Sequence, residues 1–146
     1  MNRKALALLL SLACLTGAAQ AFDEHVALVK NVTGKVQVQR GGALVDVVPG
    51  TALFVSDRLV SGAGAAAGIV FKDGTLLTLG ASSDIEVRRY VFEPAEAHYA
   101  FAVFLAKGDA IYASGKIGKL APESVKVGTP TATVGVRGTR FIIQAH

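Results

Sequence analysis

Apolar and polar residues alternate along much of this chain. The clearest runs are residues 35–40, which read Lys-Val-Gln-Val-Gln-Arg, and residues 85–91, which read Ile-Glu-Val-Arg-Arg-Tyr-Val. Because successive side chains of a strand point to opposite faces, such alternation is typical of a strand with one buried face. No segment shows a sustained apolar stripe with the helical period. The pattern therefore predicts a chain built from β-strands.

Turn signals divide the chain at short intervals. Residues 72–74, Lys-Asp-Gly, lie between apolar runs over 66–71 and 75–79, which is a strong hairpin signal. Residues 107–109, Lys-Gly-Asp, are likewise expected to turn the chain back. Further strands are predicted over residues 43–47, 53–60 with a central turn, 99–105, 110–113, 125–127, 131–136 and 140–144. We predict an all-β fold of about ten or more short strands, either a compact sandwich or roll or a short β-solenoid.

The first 21 residues have the pattern of a secretory signal peptide. Arg3 and Lys4 precede an apolar segment, and residues 19–21, Ala-Gln-Ala, form a small-residue cleavage site. The apolar segment is shorter than the roughly 20 residues that cross a bilayer, so no transmembrane anchor is expected. We predict a signal peptide over 1–21, a single β domain over 22–146, and a periplasmic or secreted protein.

Removal of the leader changes the charge and the cysteine count. Without Arg3 and Lys4, thirteen basic residues face eleven acidic ones, so the net charge falls from +4 to +2. No clustered basic face is indicated, and nucleic-acid binding is not expected. Cys14, the only cysteine, lies in the leader. Lipoprotein processing at Cys14 is disfavoured, because the residues before it match such signals poorly.

The residues that usually carry catalysis do not form a recognisable set. His25, His98 and His146 are not at the spacings of a metal site, and Glu93 and Glu96 share a loop that is expected to be solvated. No nucleophile, base and orienting group can be assembled from the sequence. We therefore predict no enzyme activity and no catalytic, cofactor or metal site.

The most distinctive segment is residues 127–141, near the end of the chain. A Thr-Pro step fixes an extended entry, and two glycines flank Arg137, so the backbone can turn tightly on both sides of it. The guanidinium of Arg137 can tie backbone carbonyls together within a β corner, or it can contact an anion or a partner. Both interpretations stay open.

This segment resembles the signature of FecR domains, Thr-Pro-x-Ala-x-x-Gly-x-Arg-Gly-Thr-x-Phe. The matching residues are Thr129, Pro130, Ala132, Gly135, Arg137, Gly138, Thr139 and Phe141. Upstream stretches are similar to the family too: Gly34-x-Val36, Pro49-Gly50, Phe71-Lys72-Asp73-Gly74-Thr75 and Ser114-Gly115-Lys116-Ile117. The resemblance spans about residues 28–144.

The resemblance implies an all-β extracytoplasmic domain that relays a signal from an iron-siderophore receptor to a sigma factor. We expect no anti-sigma segment or membrane helix here, so that relay is not expected to carry over. The first hypothesis is therefore an exported binding or sensing module that contacts another envelope protein. The alternative is a cell-envelope glycan or peptidoglycan binder, which exposed aromatic side chains at Tyr90, Phe92, Tyr99 and Tyr112 would favour.

Overall fold

A computed structural model describes residues 24–135 and 138–146. The predicted signal peptide, Cys14 and the motif residue Arg137 lie outside the described residues. Twelve strands are described: β1 (Ala27–Thr33), β2 (Val36–Arg40), β3 (Ala43–Asp46), β4 (Ala52–Leu53), β5 (Arg58–Ser61), β6 (Ala66–Phe71), β7 (Leu76–Leu79), β8 (Asp84–Glu93), β9 (His98–Ala113), β10 (Val125–Gly128), β11 (Thr133–Gly135) and β12 (Arg140–Ala145). The short helix α1 (Lys116–Leu120) and 3-10 turns at Pro94–Glu96 and Pro122–Ser124 complete the described elements.

The strands form one curled sheet with two layers, and β9 runs through both layers. Layer A has the strand order β4-β1-β6-β7-β9-β12. Layer B has the order β3-β2-β5-β8-β9-β10-β11. The part of β9 before Gly108 pairs in layer B, and the part from Gly108 onward pairs in layer A. The predicted all-β fold with more than ten strands is confirmed. Among the predicted alternatives, a roll describes it, because all described pairs except β9 with β10 are antiparallel.

The predicted turn at residues 107–109 is wrong. The chain does not fold back there; β9 continues from His98 to Ala113. Gly108 has φ of +92°, and a side chain at this position would clash with Ser83. A glycine can adopt this conformation without steric cost, so the strand bends from one layer into the other instead of ending.

The hydrophobic core lies between the two layers. Alternate side chains of each layer point inward, as in β6, where residues 67, 69 and 71 are buried. Leu59 and Ile85 of layer B meet Ile69 and Leu79 of layer A in one cluster. The predicted strands at 35–40, 66–71 and 85–91 are confirmed by this arrangement.

Strand β1 was not predicted from the alternation. Its register against β6 shifts between Val29 and Asn31, so the period-two pattern breaks in the middle of the strand. A bulge places an extra residue in one strand, which changes the face that the following side chains occupy.

Candidate interaction surface

The C-terminal motif, residues 129–141, supplies an edge strand to each layer. It begins with a turn around Pro130, where the N–H of Thr129 donates to the carbonyl of Ala132 at 2.7 Å. The hydroxyl of Thr129 in turn accepts from the N–H of Ala132 at 3.2 Å. The motif continues into β11, which lies at the edge of layer B, and then into β12, which lies at the edge of layer A. The motif therefore connects the two layers at one side of the roll.

Ser114, directly after β9, binds the second half of this motif through two hydrogen bonds. Its N–H donates to the carbonyl of Thr139 at 2.8 Å, and its hydroxyl donates to the carbonyl of Gly138 at 2.8 Å. Phe141 stacks on Tyr112 with 4.9 Å between the ring centroids. These motif residues have structural contacts, whereas the role of Arg137 stays a prediction because that residue lies outside the described ones.

Asp73 is a buried hub that joins two of the family-like stretches. Its carboxylate accepts from the hydroxyl of Thr75 at 2.7 Å, from the hydroxyl of Tyr90 at 3.0 Å and from the N–H of Ile117 at 3.0 Å. The hairpin turn before β7 is thereby fixed to the start of α1. A Cβ at Gly115 would collide with the backbone of this turn, so the close approach requires glycine. The carboxylate is fully engaged in holding these elements together.

The aromatic surface that would favour a glycan binder is not present among the described residues. Tyr112 is fully buried, while Phe92 and Tyr99 are half-buried and pack against the core. The hydroxyl of Tyr90 is bonded to Asp73, and burial, together with that carboxylate, raises the pKa of Tyr90. Burial also raises the pKa of Tyr112. No observation favours the glycan alternative.

Two further buried carboxylates are held by arginines. Arg40 donates to both oxygens of Asp57 at 2.8 and 2.6 Å, and the N–H of Phe54 donates to the same carboxylate at 2.8 Å. These bonds hold the pKa of Arg40 above its ordinary value. Arg58 binds both oxygens of Asp84, with 2.6 Å between Nε and Oδ1. Such bidentate pairs fix the geometry of both carboxylates and hold them in structural contacts.

The histidines and the acidic loop do not converge on a site. Nδ1 of His98 lies 3.2 Å from Glu93, and both side chains are exposed. Nε2 of His146 lies 3.7 Å from Asp109, at the other end of β9. Within residues 24–135 and 138–146, no group of three or more potential metal ligands is found.

An open groove of about 820 Å³ lies beside the motif. Many of its lining residues are small, among them Ser114, Gly118 and Gly135, and Lys119 and Glu123 also line it. These two charges, the charged residues among its described lining, have opposite signs. It gives no indication of a particular ligand.

The outer side of layer A carries an exposed apolar surface. Leu28, Val70 and Leu76 lie side by side on β1, β6 and β7, and Ile111 lies opposite Ile142 on β9 and β12. Leu28 is 44% exposed, Leu76 46% and Ile142 67%, the highest value for a large apolar residue in the described part of the chain. We call these five residues the apolar face. Exposed apolar side chains that adjoin across several strands are typical of a surface that binds a partner.

Sequence reasoning did not find the apolar face, although a signal was present. The doublets Leu76-Leu77 and Ile142-Ile143 place one apolar side chain on each side of a strand. In each doublet one residue is buried and its neighbour is exposed, as with Leu77 at 1% and Leu76 at 46%. An apolar doublet in an otherwise alternating strand marks a position where the outer face is apolar too.

On the outer side of layer B, strands β5 and β8 carry charged residues, while the edge strand β3 exposes Leu44. The Arg58–Asp84 pair lies beside Glu86, whose carboxylate is 3.6 Å from Nε of Arg88. The guanidinium of Arg88 lies 3.9 Å above the ring of Phe104. We call these four charged residues the charged face. Its charges are paired with one another.

The chain matches a known protein family. The family model for FecR protein matches residues 57–146, which include β5 to β12 and the whole C-terminal motif. No curated protein and no solved structure matches the chain. In the part of the chain that the structure describes, no helix is long and apolar enough to span a membrane.

Proposed function

The chain belongs to the FecR protein family, and we propose that it is a non-catalytic binding or sensing module of the cell envelope that works through contact with another envelope protein. The family supports a signalling or sensing role. The leader-like pattern of residues 1–21 and the absence of cysteine from residues 22–146 support an envelope location. This role needs a surface for a partner and no reacting group.

The observation that carries the proposal is the apolar face. Its residues lie in two neighbouring cross-strand rows. Among the described residues, the row of Leu28, Val70 and Leu76 continues through Ala113 to Arg140. The buried carboxylates Asp57, Asp73 and Asp84 already have structural partners. A partner that fits would present an apolar patch, since a charge buried on this face away from Arg140 would lack a counter-ion.

Site-specific photo-crosslinking in the producing cell tests this proposal. We replace Leu76, on the apolar face, with p-benzoylphenylalanine and identify the crosslinked protein by mass spectrometry. Gln39, exposed on the outer side of layer B opposite Arg58, is the matched control position. We expect one envelope protein to be crosslinked from position 76 and not from position 39.

A second variant tests whether the crosslink from position 76 depends on the apolar face. Ile142→Lys introduces a charge into the apolar face at its edge, and we expect it to reduce the crosslink from position 76 strongly, because burial of an unpaired ammonium is costly. The proposal fails if position 76 gives no crosslink to another protein, or if positions 76 and 39 give the same products. A turnover assay that responded to Glu93→Gln would contradict the non-catalytic part.

A further inference from the structure

The edge of layer A formed by β12 lacks the features that protect natural sheet edges. In residues 24–135 and 138–146, β12 pairs with β9 alone, so its other side carries unpaired backbone groups. The strand has six residues, no proline, no bulge in its register and one charged side chain, Arg140. Natural edges are usually shortened, bulged, charged or covered, because an unprotected edge pairs with another strand.

We propose that a second copy of this chain pairs with this edge, β12 against β12 in antiparallel orientation. Antiparallel pairing of one strand with itself forms an isologous interface, in which the same edge serves both copies and the assembly closes as a dimer. Layer A would then continue from one copy into the other. The inward-facing side chains of β12, Phe141, Ile143 and Ala145, would extend the apolar layer between the sheets across the junction.

The proposed register satisfies both facing and charge. Opposite residues of an antiparallel pair lie on the same face, so the outward residues Arg140, Ile142 and Gln144 must meet outward residues of the second copy. With Ile142 opposite Ile142, each Arg140 lies opposite Gln144 of the other copy, and no like charges face each other. The row Ile111–Ile142 then continues into the same row of the second copy.

The other sheet edges fit a second copy less well. Strand β4 has two residues and β11 has three, which is too short for a stable pairing. Strand β3 has four residues, and Asp46 at its end accepts a hydrogen bond from Gln37. Residues 88–93 of β8 extend beyond its pairing with β5, and this edge carries Arg88, Arg89 and Glu93. Among the described edges, β12 alone combines length, apolar side chains on both faces and a single charge that finds a neutral partner.

The dimer is expected to be weak and to depend on concentration. Pairing of one strand buries less than the roughly 800 Å² per partner of a standard stable interface. Leu76 lies two strands away from the edge, so the dimer leaves it accessible. The proposal does not rest on the proposed function: a self-crosslink has twice the mass of the chain, whereas a crosslink to another envelope protein does not.

Sedimentation velocity of the purified protein, from low to high micromolar concentration, tests the dimer. We expect the weight-average mass to rise toward that of two chains. Ile142→Lys should weaken dimerisation at least about tenfold, because it places two ammonium groups opposite each other. Leu44→Lys, on the exposed edge strand β3, is the matched control and should leave the mass unchanged. A monomer at every concentration, or a dimer that Ile142→Lys leaves intact, overturns the proposal.

Gln144 tests the register. Gln144→Glu places a carboxylate opposite Arg140 of the other copy and should tighten the dimer about fivefold, whereas Gln144→Lys should weaken it by a similar factor. Within one copy Gln144 lies opposite Asp109, so the two substitutions should change monomer stability in the reverse order. Because the two orders are opposite, a change in dimer affinity can be distinguished from a change in monomer stability. Equal effects of the two variants on dimerisation overturn the register.

Discussion

The outer sides of the two layers show two different uses of an exposed sheet surface. On layer B, Arg58 is bound to Asp84 and Arg88 lies beside Glu86, so the charged face is satisfied within the chain. On layer A, Leu28, Leu76 and Ile142 are exposed without a covering element in residues 24–135 and 138–146. Because one face already has its partners and the other does not, the difference indicates which side of the protein is available for binding.

The two faces also differ in what they contribute to folding. A carboxylate as buried as Asp84 is costly to leave without its arginine, so the charged face belongs to the folded structure. The exposed side chains of the apolar face contribute little to stability, because they remain in contact with water in the folded chain. Substitutions on the charged face should therefore lower the stability of the fold, whereas substitutions on the apolar face should change it little.

The largest expected effect contrasts two neighbouring leucines of β7. Leu77 points into the core, and Leu77→Ala should lower the free energy of unfolding by about 3 kcal/mol through lost burial and a cavity. Leu76 points outward, and Leu76→Ala should change it by less than about 0.5 kcal/mol. Urea denaturation measures both. A comparable loss for Leu76→Ala would mean that the apolar face is part of the core. It would contradict the proposal that this face contributes little to stability.

The next effect concerns the charged face. Arg58→Ala leaves the carboxylate of Asp84 buried without its two charge-assisted hydrogen bonds, and we expect a loss of about 2 kcal/mol in the free energy of unfolding. Arg88→Ala is the control, since Glu86 is exposed to water, and it should cost less than about 1 kcal/mol. If thermal denaturation showed equal losses of stability for the two variants, the Arg58–Asp84 pair would contribute no more than an exposed ion pair.

The smallest effect comes from the interior between the two faces and appears at alkaline pH. Burial and the Asp73 carboxylate raise the pKa of Tyr90 above the value of about 10 in the unfolded chain. The folded state therefore favours the protonated phenol, and this stabilisation is complete below pH 10 and is lost as the pH rises above it. By linkage, the loss from Tyr90 at pH 10.5 is at most about 0.8 kcal/mol.

Tyr90→Phe isolates this contribution. The variant loses the hydrogen bonds to Asp73 at all pH values, so the comparison uses the slope of unfolding free energy against pH rather than its level. The slope between pH 9 and 10.5 should be shallower than in the wild type, and Tyr112 should contribute to the slope that remains. An unchanged slope would mean that the loss of stability at alkaline pH comes from groups on the surface and not from Tyr90.

Local sequence patterns predicted strands better than the connections between them. Alternation located β2, β6 and β8, because each has one buried face. It could not show that Gly108 bends a continuous strand, because that outcome depends on β7 and β12 pairing from distant parts of the sequence. A Lys-Gly-Asp step is compatible with a turn and with a bend, and only the distant partners decide.

The motif and the apolar face also differ in how far local sequence could predict them. Residues 129–141 were recognisable from the order of their residue types, which resembles a family signature. The apolar face combines residues from five strands, and its members are ordinary leucine, valine and isoleucine. Nothing local distinguishes Leu76 from Leu77; the register against β9 determines which one faces the core.

The passage of β9 through both layers has a consequence for the order in which the chain folds. Neither layer can be completed without a strand that the other layer also needs, so the layers form one cooperative unit. Most partners of β9 come from distant parts of the sequence, which slows folding. Because β12 comes after all other described strands in chain order, layer A gains this edge only once those strands have been synthesised.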